Sequence, residues 1–110
     1  MIRRPKGPQP GKRKHTRRAV SMWAQVNGKM RHPVLNLSEG GLFLLTEEPL
    51  PVGRELALEL PLAERIIHVA GRVVHATATE EWAGNGIQLT SLATADSNTL
   101  REFLTAAVTA

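Results

Sequence analysis

The chain has 110 residues, 42% of them apolar, and a formal net charge of +4. That length allows one domain with a real core but not two, and the apolar content excludes long disorder away from the ends. The absence of cysteine excludes disulfides, thiolate metal sites and cysteine nucleophiles. No apolar run suits a signal-peptide core or a membrane span, so a soluble cytoplasmic protein is expected.

The charge is unevenly placed. Residues 1–38 contain ten Lys or Arg and no acid, a charge of +10, whereas the remainder has four basic and ten acidic residues, a charge of −6. A basic arm joined to an acidic body points to an anionic partner for the arm.

Residues 1–12 mix Arg, Lys, Pro and Gly with almost nothing to bury and read as a flexible basic tail, leaving 13–110 as the domain. From Val20 the chain becomes a series of short apolar stretches separated by turn residues, an all-β signature. Residues 20–26 form the first predicted strand, closed by Asn27-Gly28, a hairpin signal. Residues 30–37 form the second, in which Pro33 suggests an edge or a bulge. After the turn at 38–41, residues 42–46 form a third. Residues 54–60 alternate, with Leu56, Leu58 and Leu60 on one face and Glu55 and Glu59 on the other. Residues 66–79 form a long strand expected to bend at Gly71, and after a loop around Trp82 and Gly84, residues 86–92 form the last.

Leu100, Phe103, Leu104, Ala107 and Val108 follow the spacing of an amphipathic helix. Thr94 or Ser97 is its candidate cap, and Asp96 lies near the positive end of the helix dipole. The fold class is therefore all-β, with six antiparallel strands and a C-terminal helix lying its apolar face on the barrel. Trp23, Phe43 and Phe103 are expected in the core, and Trp82 at least partly at the surface. His68 and His75, seven apart on one predicted strand, are expected on opposite faces. No metal site is expected, and no nucleophile–base arrangement is legible, so the chain reads as a non-enzyme.

Two segments stand out: Arg13-Lys14-His15-Thr16-Arg17, just before the first strand, and Asn36-Leu37-Ser38-Glu39-Gly40-Gly41, at the end of the second. Together they resemble the RxxxR and D/NxSxxG motifs of the PilZ family, at the separation of one hairpin. Gly86-Ile87-Gln88-Leu89, followed by a helix, resembles the family's last strand and terminal helix. The resemblance covers roughly 13–108 and implies a six-stranded PilZ-type barrel that binds the bacterial second messenger cyclic di-GMP, with no separate cofactor. It implies Arg13, Arg17, Asn36, Ser38 and Gly41 as ligand residues. Lys12, Lys14, Arg18 and Gly40 are secondary candidates, Lys14 and Arg18 being a second basic pair four apart.

The chemistry suits such a ligand. Cyclic di-GMP is a dianion with two guanines, and a guanidinium pairs with phosphate or with guanine O6/N7 and also stacks on rings. A bidentate guanine contact contributes about 1–3 kcal/mol and a cation–π stack about 0.5–2 kcal/mol. Micromolar binding requires roughly 8 kcal/mol, so one arginine alone is insufficient. Asn36 can donate to and accept from a guanine edge, the Ser38 hydroxyl offers a further contact, and Gly40 and Gly41 permit a sharp turn and close approach of a ligand. Asn36 and Ser38, two apart on an extended segment, would share a face.

Ligand binding is expected to order the basic arm onto the barrel and so change contacts with a downstream protein that the sequence does not identify. Two other readings use the same features. A PilZ-like adaptor without ligand binding is disfavoured by the five intact motif positions. A nucleic-acid-binding barrel is disfavoured by the acidic body and by an aromatic content of only two Trp, two Phe and no Tyr, since single-strand binders stack bases on exposed rings.

Overall fold

The computed structural model describes the chain from Arg18 to Thr109, with side-chain surroundings from Ala19 to Ala106. Six antiparallel strands run β1 (Arg18–Val26), β2 (Arg31–Leu37), β3 (Gly41–Thr46), β4 (Glu55–Leu62), β5 (Arg65–Ala78) and β6 (Ala83–Leu92), and helix α1 (Thr94–Thr109) follows. The strands close into a barrel in the order β1-β2-β3-β6-β5-β4. Closure removes the unpaired edges that an open sheet would leave.

Local chemistry explains the turns. Asn27 and Gly28 both have positive φ, 54° and 71°, as a two-residue turn matching the right-handed twist of a hairpin requires. The Asn27 side chain also accepts a hydrogen bond from the Ala57 N–H at 2.8 Å, and its own N–H donates to the Ala57 carbonyl at 2.7 Å. This turn thus helps join β1 to β4, which otherwise meet through Gln25↔Glu59 and Val26↔Leu58. The β4–β5 turn holds Ala63 at φ 55°, a left-handed conformation that a side chain disfavours.

Strand alternation fills the barrel. Leu56, Leu58, Leu60 and Leu62 of β4 are buried, and they join Val34, Leu37, Leu42, Leu44, Ile67, Val73 and Ile87 in one core. Helix α1 packs chiefly on β5 and β4 and adds Leu100 and Leu104 to that core, with Phe103 half-buried against it. The helix begins at Thr94. Ser97 lies within its first turn and donates its N–H to the Ala93 carbonyl at 2.9 Å, so Ser97 is not the cap. The side chains of Ala107 and Val108 lie outside the described residues.

Four expectations change. Trp23 is 56% exposed, because Ala24, its neighbour, points into the barrel and alternation turns Trp23 outward. Phe43 likewise lies on the outer face, its ring against Gly84. That contact helps explain why β6 starts at Ala83 rather than at Gly86: the ring covers a glycine that read as loop. His68 and His75 are both exposed rather than on opposite faces, since the β5–β6 register shifts between Val73 and His75 and the extra residue reverses the parity. A second shift, between Ala70 and Gly71, is the bend expected there. Pro33 occupies no edge, but the β2–β3 register shifts between Val34 and Asn36, beside it.

Candidate functional site

The turn joining β2 to β3 is built around one hydroxyl. Ser38 is 2% exposed. Its Oγ accepts hydrogen bonds from the Gly40 and Gly41 N–H groups, both at 3.2 Å, and donates to the Gly41 carbonyl at 3.3 Å. The Ser38 N–H also donates to that carbonyl, at 2.8 Å. A serine hydroxyl can mimic a backbone turn in this way. Because β2 ends at Leu37, Ser38 lies beyond the extended segment and does not share the face of Asn36. Its contribution is to fix the turn from within.

Gly41 is needed for a different reason from sharp turning. A Cβ there would collide with the Ile87 carbonyl oxygen of β6, so only glycine lets β3 begin this close to β6. The Gly40 carbonyl accepts a hydrogen bond from Leu89 N–H at 2.9 Å, which anchors the turn to the same strand. Glu39 leans the other way, toward α1, where its carboxylate lies 3.5 Å from Arg101 Nε.

Asn36 is half-buried near the end of β2. It pairs with Ala19 of β1 on one side and Phe43 of β3 on the other. Phe43 pairs with Gly86, and Gly86 with His75, so Asn36, Phe43, Gly86 and His75 form one row across the outer face. The rings of Phe43 and His75 have centroids 6.1 Å apart, and the His75 ring lies where a Cβ on Gly86 would have to go. The next row is Gly41, Gln88 and Arg72, with Arg72 held by Glu55 at 3.0 Å. Phe43, Gln88 and His75 are therefore additional candidates beside Asn36. Their adjacency depends on the β3–β6 and β5–β6 registers, which no local sequence signal specifies.

Lys12, Arg13, Lys14 and Arg17 lie outside the described residues, as does the side chain of Arg18. The backbone of Arg18 pairs with Leu37, immediately before Ser38. The segment carrying the Arg13 and Arg17 pair is thus tethered to the barrel beside the turn.

A six-stranded closed barrel with this turn, preceded by an arginine pair and followed by a helix, matches the PilZ domain over residues 11–106. The chain belongs to the PilZ domain family. Among solved structures, it is similar to the inhibitor of motility MotI/DgrA of Bacillus subtilis, with a TM-score of 0.76 and 19% identity over 93% of this chain. It spans 56% of the length of that protein. The PilZ domain of YcgR from Escherichia coli, solved with c-di-GMP, superposes with a TM-score of 0.67 at 17% identity, covering 81% of this chain and 86% of that one. The MrkH–c-di-GMP complex of K. pneumonia gives 0.77 at 18% identity, covering 88% and 52% respectively. No individually curated protein sequence matches the chain. At these identities the likeness to solved structures speaks for the PilZ fold.

No group of three potential metal ligands occurs among the described residues. No described helix is long and apolar enough to cross a membrane.

Proposed function

We propose that this PilZ domain is a cyclic di-GMP receptor that acts by binding rather than by catalysis, in the cytoplasm where that messenger is made and read. The observation that carries the reading is the placement of the Ser38-locked turn beside the start of β1. Arg17 is one residue from Arg18, and Arg13 is five, so chain length alone holds their backbones within about 4 Å and 18 Å of the Leu37 pairing. Asn36, the outer edge of the turn and two guanidinium groups are then within reach of one ligand.

In this reading Arg13 and Arg17 contact phosphate and guanine, and Asn36 reads a guanine edge. Gly40, half-buried, leaves the turn backbone open to approach, Gly41 lets the turn pack against β6, and Ser38 holds its shape. Lys12, Lys14 and Arg18 add positive potential. The ligand neutralises a segment whose own charges repel and draws it onto the barrel, which changes the surface offered to a downstream protein. The two c-di-GMP-bound relatives support the ligand identity by fold and family.

Calorimetric titration tests the reading. Cyclic di-GMP is expected to bind, with cyclic di-AMP much weaker even at high salt, where a simple polyanion contact would fade. Arg13→Ala and Arg17→Ala should each weaken binding by tenfold or more, about 1.4 kcal/mol. Binding insensitive to both substitutions, or equal for the two dinucleotides, would refute it. Arm ordering has its own test: N-terminal amides that exchange hydrogen equally fast with and without saturating ligand rule out the ordering step while leaving the receptor reading intact.

A further inference from the structure

Two rows from the Ser38 turn, the outer face of the barrel changes character. Trp23 pairs with Pro33 across β1 and β2, and Leu45 lies two residues along β3 from Phe43. Here a groove of about 580 Å³ opens between the far end of the β1–β2 hairpin and the segment before β6. Trp23, Met30 and Trp82 line it and are 56%, 67% and 39% exposed. Three large apolar side chains exposed together exceed the scattered single ones normal for a surface and mark a contact site. Glu47, Glu48 and Glu81 also line it, all exposed, and among the described residues Arg31 is its only Lys or Arg.

We propose that this groove docks a cationic segment of a partner protein, seating apolar or proline residues on Trp23, Met30 and Trp82 while its Arg or Lys side chains meet Glu47, Glu48 and Glu81. The sign of the charge selects the occupant. Three carboxylates against one guanidinium repel a dianionic nucleotide but attract a basic peptide, and indole faces are the best side-chain partners for a guanidinium. Tryptophan anchors ringed by polar groups are also the usual composition of an energetic centre in an interface. The inference does not depend on cyclic di-GMP binding.

The chain contains only two tryptophans and no tyrosine, and both tryptophans line the groove, so intrinsic fluorescence reports on this site alone. The full chain is titrated with a short peptide of repeated Arg-Pro-Leu, which has no ring of its own, and with a counterpart carrying Glu for Arg. The expected result is a saturable shift in emission with the basic peptide and none with the acidic one. Replacing Glu47, Glu48 and Glu81 together by Gln should weaken the basic peptide by about fivefold or more. Met30→Ala should weaken it too with both tryptophans in place, with melting temperature unchanged and cyclic di-GMP titration the same as wild type. Failure of the basic peptide to saturate, or an equal response to both peptides, overturns the proposal. So does emission that shifts with protein concentration before any peptide is added, which would make a second copy the occupant. Cyclic di-GMP affinity lost in Trp23→Ala would assign the groove to the nucleotide instead.

Discussion

Replacing Ser38 by Ala separates a turn-holding hydroxyl from a ligand-contacting one, because the first role has a consequence without any ligand. The hydroxyl accepts from two backbone N–H groups and donates to one carbonyl, all within residues 38–41. Alanine leaves both donors without that acceptor while changing the volume little. An unsatisfied buried donor costs about 1–3 kcal/mol; Gly40 is only half-buried and can regain water, so the expected loss is about 2 kcal/mol. For a domain of this size each kcal/mol lowers the melting temperature by about 4–8 °C, so the variant should melt about 8–16 °C lower. In urea the midpoint should fall with an unchanged slope, as the folded surface is the same. Amide exchange at Gly40 and Gly41 should accelerate more than at core positions such as Leu58. A melting temperature within about 2 °C of wild type, with the Gly41 amide still protected, would refute the assignment of Ser38 to the turn.

Gly41→Ala should cost about 1–3 kcal/mol, because its Cβ meets a backbone carbonyl of β6 that cannot move aside, and Gly86→Ala should cost less, because the obstructing atoms belong to the exposed His75 ring; urea midpoints of the two variants give the comparison. Ala63→Gly should stabilise the barrel by about 0.5–1 kcal/mol, since relief of a left-handed alanine, about 1–2 kcal/mol, exceeds the added unfolded-state entropy of about 0.4–1 kcal/mol; thermal melts read it. Asn85→Ala should be the most damaging polar substitution, by about 2–4 kcal/mol, because this fully buried amide accepts from Leu50 N–H at 2.8 Å and donates to the Leu44 carbonyl and Thr46 Oγ1 at 3.0 Å, and faster proteolysis within residues 47–53 is the accompanying readout.

What could be read from the chain follows the range of each interaction. The Asn27-Gly28 hairpin, the alternating leucines of β4 and the bend at Gly71 are specified by neighbours in sequence, so six strands and a helix were legible with ends misplaced by a few residues. Size alone argues for burial of Trp23, whereas the inward position belongs to Ala24. Simple alternation fails at His75 because a bulge reverses parity, and nothing within the strand announces one. At the site, the composition of the Asn36–Gly41 turn was legible, but the inward direction of the Ser38 hydroxyl was not. That direction depends on the strand ending at Leu37. In sequence Gly41 reads as a turn former, whereas its neighbour from β6, some 46 residues away in sequence, sets the requirement. Asn85 carried no signal, since its three partners lie 35 to 41 residues away.

The charge asymmetry of the sequence acquires a spatial meaning on the barrel. An acidic body would be expected to repel a dianion, yet near the Ser38 turn its nearby carboxylates are engaged: Glu39 faces Arg101 and Glu55 faces Arg72. Among the described residues, Glu47, Glu48 and Glu81 form no ion pair, and all three line the Trp23–Trp82 groove. Exposed pairs of this sort add little stability, about 0–1 kcal/mol each, so their consequence is in the field rather than in the fold. They quiet negative potential where the arginine segment joins at Arg18 and leave it standing two rows away. One outer face thus has a neutralised end and an acidic end, so the ligand and the partner proposed above would not compete for the same side chains.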